Sequence, residues 1–491
     1  NFKKAKERQL HVLQRMRENG FITAEQEQQA RDEQLKLRSG VENYGVHAEY
    51  VAETVRQLIF NQYGEETYTR GLQVYTTIES ADQQVAYDAL RKGIMGFERR
   101  QIYRGPEKFL TLPSKASDAD DVIEEALGEL PEIGDLFPAV VLDASRTAVE
   151  VQRANGERIK ISGQGLDVAR TGLNPSAAPN VKLRRGAVVR ISKTNRKGDP
   201  WELNQLPEVE AAFVAMDPRN GAVKALVGGF DFSKNKFNHV TQAWRQPGSS
   251  FKPFIYSAAF EKGYGPNSVV DDSPLSFPAG ETGSQAWEPK NYDGKYEGPM
   301  RMRTALAKSK NMVSIRLLEA SGVHFIQDYA TRFGFEAEKH PAYLTMALGA
   351  GSVTPWQMVT AYAVFANGGY KIQPFIVSQI RDERDQIIAE AQPVTAGDES
   401  LLVIDPRNAY LMDSMLRDVT IYGTAARASA TLKRRDLAGK TGTTNEHVDA
   451  WFCGYQRTIV GCSWIGFDQP KNLGNGETGG SAALPMWIGY M

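Results

Sequence analysis

Two cysteines in 491 residues, Cys453 and Cys462, are too few for a disulfide-built scaffold or a four-ligand zinc centre. The six histidines are scattered, and none has the spacing of a metal-binding helix. No run of about eighteen apolar residues occurs, and no signal-peptide pattern is found. Neither sign of charge dominates. Lys and Arg number 58 against 59 Asp and Glu, and a net charge of −1 gives no global field for nucleic acid. There is no initiating methionine, and the charged opening "NFKKAKERQL" reads as helix rather than a natural start. The expectation is a piece of a longer protein, with any membrane anchor outside this chain.

What is present describes an ordinary globular protein, 41% hydrophobic and 24% charged, too long for one core. Residues 1–39 alternate charge with spaced Leu, Val and Met. They predict helix, broken near Gly20 and restarted by an N-cap at Thr23. Residues 45–80 predict a helix and then a strand in "GLQVYTTI". "SADQQVAYDALRKGI" predicts a capped helix. Over residues 105–205 short strand-like runs are broken by Gly, Pro and Asn, which predicts a small β-barrel or sandwich. A barrel of the oligonucleotide/oligosaccharide-binding type fits that size.

From Val209 two strands flank the turn Asp217-Pro218-Arg219-Asn220-Gly221. A helix-rich stretch follows to about residue 420, and strands return around "LAGKTGTT". This predicts a layered domain whose sheet joins strands distant in sequence. The cysteines sit in a hairpin, "WFCGYQRTIVGCSWIGF", turning near Gln456 to Thr458. They read as two half-buried strand residues able to face each other, with a disulfide open to them in an oxidising compartment.

Three short stretches carry chemistry. In "RQPGSSFKPF", Ser249 falls at a helix start and Lys252 lies three residues on, on the same face. A serine needs a base to become a nucleophile, and a buried lysine with cationic neighbours can be that base. A helix N-terminus also offers N–H donors where an oxyanion would form. Alone, the stretch reads as a serine cap and a surface lysine. In "LAKSKNMVSIRL", Ser309 and Asn311 can point the same way from a loop, one to relay a proton and the other to hold Lys252 and a substrate amide. In "LAGKTGTTNEHVDAWF", Lys440, Thr441 and Thr443 can bind a carboxylate, and Gly442 lets a substrate backbone lie against a strand. A phosphate-binding loop ending at Gly439-Lys440-Thr441 is excluded, because it needs glycine at 434, where Arg434 stands. His447 reads as a loop residue.

S-x-x-K, S-x-N and K-T-G, in that order, are the signatures of penicillin-binding proteins and serine β-lactamases. "VAMDPRNGAVKALVGG", "ALGAGSVTPWQMVTAYAVFANGG" and "TGGSAALPMWIGYM" extend the likeness. From about residue 207 the chain resembles the transpeptidase domain of class A, high-molecular-mass penicillin-binding proteins of the 1a type. The resemblance implies a multidomain α+β fold. By the same resemblance, residues 1–44 would be a helical remnant of a glycosyltransferase end, 45–104 a linker region and 105–206 a small β-barrel insert. Residues 207–491 would form the transpeptidase domain, a central antiparallel sheet with helices. The family's glycosyltransferase motif is not found, so no polymerising activity is expected.

The resemblance implies that Ser249 is the nucleophile, Lys252 its base and Ser309 the proton relay, with Asn311 orienting Lys252. Lys440, Thr441, Gly442 and Thr443 form the substrate and β-lactam side of the site. The N–H groups of Ser249 and Thr443 form the oxyanion hole. It implies peptidoglycan stem peptides ending in D-Ala-D-Ala and β-lactams as ligands, and cell-wall synthesis proteins as partners. No nucleic acid, no metal and no cofactor are implied. The place would be the bacterial inner membrane, with the catalytic domain in the periplasm and an N-terminal anchor outside this chain. A β-lactamase or DD-carboxypeptidase is the first alternative. About two hundred extra upstream residues, and Lys310 where class A lactamases carry Asp, argue against the lactamase. A non-catalytic β-lactam or muropeptide sensor is the second alternative, and no signalling domain is visible for it.

Overall fold

The computed structural model describes residues 2–33, 45–198, 200–279 and 285–491. The chain forms two compact units, Asn1–Gly45 with Arg99–Leu206, and Val46–Glu98 with Pro207–Met491.

In the first unit, helices Phe2–Glu18 and Ala24–Asp32 flank Gly20. Thr23 caps the second helix reciprocally with Gln26, Thr23 Oγ1 accepting from the Gln26 N–H and Gln26 Oε1 from the Thr23 N–H. The expected helical residues 34–39 lie outside the described residues. Six antiparallel strands follow, in the order Lys108–Phe109, Ala187–Lys193, Phe137–Ala144, Ala148–Gln152 and Arg158–Ser162, with Trp201–Asn204 also pairing Ala187–Lys193. Their alternation sends Val149, Val151, Ile159, Ile161, Val189 and Ile191 into one core with Leu166 and Trp201. The opposite face places Val140 and Val188 beneath a helix, Ala116–Gly128, through Ile123 and Leu127. That helix lies where only strands are expected from the sequence.

The second unit is built on five antiparallel strands. These are β1 (Val209–Met216), β2 (Val223–Val227), β3 (Ala438–Thr443), β4 (Asp449–Gln456) and β5 (Ile459–Phe467), ordered β3-β4-β5-β1-β2. Val209 pairs with Phe467, so the sheet does join strands distant in sequence. The β2 edge is capped by the buried Gln83 amide, which donates to the Leu226 carbonyl at 2.9 Å and accepts its N–H at 2.8 Å. Gln83 belongs to the helix Ser80–Glu98. Residues 46–98, read from the sequence as linker, therefore share a unit with the sheet, and Gln73–Thr76 pairs with Val377–Arg381.

Cys453 and Cys462 are opposed on β4 and β5, fully buried and joined as a disulfide. This corrects the reading of half-buried residues, and the disulfide that the sequence left open is formed. Strict register brings the two together, and β4 and β5 are interior strands of the sheet. Among the described residues no helix is long and apolar enough to cross a membrane.

Candidate active site

A cleft of 530 Å³ opens beside β3, lined among others by Ser249, Ser309, Asn311, Thr441 and Thr443. Ser249 sits in a short 3-10 turn, Gly248–Phe251, that runs into helix α1 (Lys252–Phe260). Pro253 is accepted because the first N–H groups of a helix have no intrahelical partner. Gly248 has φ +55, and a Cβ there would lie 2.6 Å from the Thr443 carbonyl oxygen, so the turn and the strand can meet only at glycine. The segment leading in is held by three bonds. Arg245 donates to Asp449 at 2.7 Å, Trp464 donates to the same carboxylate at 2.9 Å, and Trp451 donates to the Gln246 carbonyl at 2.8 Å. Behind the turn, Phe251 and Phe254 pack with Phe335, and Phe254 also meets Tyr362 and Phe365.

Lys252 is fully buried. Its ammonium donates to the Ser309 carbonyl at 2.8 Å, Asn311 Oδ1 at 2.7 Å and Ser309 Oγ at 3.3 Å. Its three donors thus go to the Ser309–Asn311 triplet, not to Ser249. Burial first, and Lys440 second, push its pKa well below the usual lysine value, while Asp272 opposes them. Lys440, on β3 and fully buried, donates to Ser309 Oγ at 2.9 Å and to the Thr441 carbonyl at 2.9 Å; burial pulls it down to about 7. One hydroxyl therefore lies between two lysine nitrogens. Both lysines sit behind the residues that line the cleft.

Ser309 occupies the link between the helix Met302–Ala307 and α2 (Asn311–Ser321) at φ 57. Helix ends commonly give such a left-handed place to glycine, and a serine there costs about 1 kcal/mol or more. Asn311 is pinned by its neighbours. Its N–H donates to Asn291 Oδ1 at 2.8 Å and its Nδ2 to the Lys290 carbonyl at 2.7 Å.

β3 is the sheet's edge strand. The Thr444 N–H donates to the Asp449 carbonyl, which makes Thr443 and Ala450 a non-hydrogen-bonded pair. The Thr443 N–H therefore faces the open edge where the Ser249 turn lies. Thr443 Oγ1 accepts from the Gly479 N–H at 3.0 Å, and the Thr441 and Thr424 hydroxyls bond at 2.6 Å. Gly442 does approach something closely, but it is not open strand. A Cβ there would fall 2.5 Å from the Pro247 carbonyl oxygen and 2.8 Å from Ser250 Oγ. The glycine admits the Ser249 turn.

The family profile "Penicillin binding protein transpeptidase domain" matches residues 211–472, more than half of the chain. The chain belongs to the penicillin-binding protein transpeptidase family. A second profile, "Penicillin-binding protein OB-like domain", matches residues 103–209, and the fold class is the one expected. Penicillin-binding protein 1A of Neisseria flavescens is 44% identical over 491 residues, covering 100% of this chain and 61% of that protein. The Pseudomonas aeruginosa protein of the same name is 37% identical over 536 residues, covering 99% and 64%. The chain thus spans about three fifths of the curated relatives it matches. The crystal structure of penicillin-binding protein 1A from Haemophilus influenzae aligns with TM-score 0.85 and 34% identity, covering 100% of this chain and 76% of that one.

Several residues in and behind this cleft had no motif to announce them. Asn291 and Asp272 act through bonds across long sequence separations, and Thr424, which lines the cleft, also bonds to Thr441. Tyr292 and His447 meet edge to face at 5.6 Å, and both line the cleft. His447 is a loop residue at φ 53, its Nδ1 2.9 Å from the Glu477 carbonyl oxygen.

Proposed function

We propose that this chain is the DD-transpeptidase part of a peptidoglycan cross-linking enzyme, and that β-lactams acylate it at Ser249. The observation that carries this is the Ser309 hydroxyl held between the Lys252 and Lys440 nitrogens, beside a serine in a cleft. Ser249 Oγ attacks the carbonyl of the penultimate D-alanine and gives its proton to Lys252, whose burial keeps it available as an uncharged base. The N–H groups of Ser249 and Thr443 receive the oxyanion. The peptide C–N bond then breaks. The departing D-alanine amine takes the proton through Ser309, leaving an ester on Ser249. The amine of a second stem peptide attacks that ester, loses a proton by the same route and restores the serine.

Lys440, Thr441 and Thr443 bind the terminal carboxylate, and Asn311 holds Lys252 while meeting the substrate amide. A β-lactam presents the same carboxylate and an amide whose nitrogen stays attached after the ring opens. The leaving group then remains in the cleft and blocks the acceptor. The setting is the periplasmic side of the bacterial inner membrane, with a membrane anchor outside this chain and cell-wall synthesis proteins as partners. The buried Cys453–Cys462 disulfide supports an oxidising compartment.

The test is D-alanine release from a stem peptide ending in D-Ala-D-Ala, with and without an acceptor amine. Release coupled to a new amide product is expected, and Ser249→Ala abolishes both. Release with water as sole acceptor would make the chain a carboxypeptidase. No release, with the fold intact, would overturn the reading.

A further inference from the structure

Lys310, the middle residue of the Ser309–Asn311 triplet, is 2% exposed and faces four oxygens. Glu297 Oε1 lies at 3.1 Å, Asp293 Oδ2 at 3.2 Å, the Lys295 carbonyl at 3.2 Å and Asp272 Oδ2 at 3.5 Å. Asp272 is fully buried. Its carboxylate accepts from Asn291 Nδ2 at 2.8 and 3.0 Å and from the Glu297 N–H at 3.1 Å. Asn291 then accepts the Asn311 N–H at 2.8 Å, and Asn311 Oδ1 accepts from Lys252 at 2.7 Å. A continuous path of charge and hydrogen bonds therefore runs from Lys310 through Asp272, Asn291 and Asn311 to Lys252. A buried carboxylate without a counter-charge is strongly unfavourable, and Lys310 is the cation in contact with this one.

We propose that Lys310 is a positioning residue for acylation: its ammonium offsets the buried charge of Asp272, and its bonds hold Asp293, Lys295 and Glu297 in place, so that Asp272 acts less on Lys252. This rests on the reading of Lys252 as the base. The charges facing Lys252 are Lys440, from β3, which drives its proton off, and Asp272, from the far side of the cleft wall, which holds it on. Asn311 and Ser309, which bond to it from α2 and the preceding link, are uncharged. Tyr256, a turn further along α1, is kept protonated by burial. Lys310 itself stays charged. Burial works against its proton, but Glu297, Asp293 and Asp272 outweigh it. Removing that charge leaves Asp272 free to stabilise the charged form of Lys252, which a base cannot use.

The experiment is the second-order rate of acylation by a fluorescent penicillin across the pH range, for the wild type, Lys310→Met, Lys310→Arg, Asp272→Asn and the double variant Lys310→Met/Asp272→Asn. A melting curve accompanies each. Lys310→Met is expected to move the rising limb to higher pH by about one unit, a loss of roughly tenfold below the limb that recovers above it. Lys310→Arg keeps the wild-type limb, Asp272→Asn moves it to lower pH, and the double variant returns it toward the wild type. A Lys310→Met limb at the wild-type pH, or slowing that is equal at every pH, overturns the inference. If Lys310→Met does not fold, Asp272→Asn decides: a shift to lower pH supports it and an unmoved limb overturns it. A wild type that is never labelled overturns the underlying reading of Ser249 and Lys252, and the inference with it.

Discussion

Lys440 Nζ lies 2.9 Å from Ser309 Oγ, bridging the edge strand of the sheet to the turn before α2. One wall of the cleft is thus tied to the other at the hydroxyl that Lys252 also contacts. With both lysines buried near one oxygen, the charge of Lys440 makes Lys252 harder to protonate.

The first prediction concerns pH. On the proposed mechanism acylation needs Lys252 uncharged, so the rate rises with pH through its lowered pKa. On the same mechanism carboxylate capture needs Lys440 charged, and in the free protein that charge is lost near its value of about 7. The second-order acylation rate should therefore follow a bell whose falling limb lies near neutrality. Stopped-flow measurement over pH checks this, and a flat profile through the neutral range would count against the assignment.

Gly442→Ala should cripple acylation while sparing most of the fold. Its Cβ would meet Pro247 and Ser250 at 2.5 and 2.8 Å, and the Ser249 turn must shift to make room. A displacement of about 1 Å at a nucleophile costs on the order of a hundredfold in rate. Acylation kinetics beside a melting curve separate the two effects.

His340 predicts an acid-sensitive stability. It stacks on Phe251 at 4.7 Å, neither ring nitrogen has a hydrogen-bond partner among the described residues, and burial pulls its pKa from 6.5 to about 4. As pH falls below the unfolded value, the unfolded chain takes up a proton that the folded ring refuses. Stability is therefore full above 6.5 and is lost progressively as pH falls toward about 4, by roughly 3 kcal/mol in all. Urea unfolding at neutral and mildly acidic pH should show a steeper loss for the wild type than for His340→Phe. Equal slopes would mean that the ring is not held neutral.

The motif residues were legible because each signature is contiguous and its chemistry depends on short spacing. Ser249 and Lys252 needed only one helical turn, and Thr23 announced its cap by the glutamine three residues on. The facing cysteines and the link open to them followed from hairpin register, whereas their full burial depended on neighbouring strands. Asn291, Asp272 and Thr424 left no local trace, because each works through a partner between 17 and 20 residues away, in a segment whose path only the tertiary fold sets. The helix Ala116–Gly128 did leave one, Ile123 and Leu127 four apart above an acidic face. It was hidden among flanking strand-like runs. Gly442 shows the opposite case. The need for close approach was readable, but the approaching group was not.

The disulfide gives a further prediction. Cys453 and Cys462 close a short loop between interior strands, and both are fully buried. Replacing both with alanine should lower unfolding stability by roughly 2–3 kcal/mol while leaving acylation near the wild-type rate. Thiol labelling of the denatured, unreduced protein should find no free cysteine, and two after reduction.

The most direct test of the whole account is intact mass after exposure to benzylpenicillin, followed over hours and mapped by peptide digestion, beside Ser249→Ala. One persistent adduct located on Ser249 and absent from the variant is expected. An adduct on another residue, or an equal adduct on a folded Ser249→Ala protein, would contradict the assignment of Ser249.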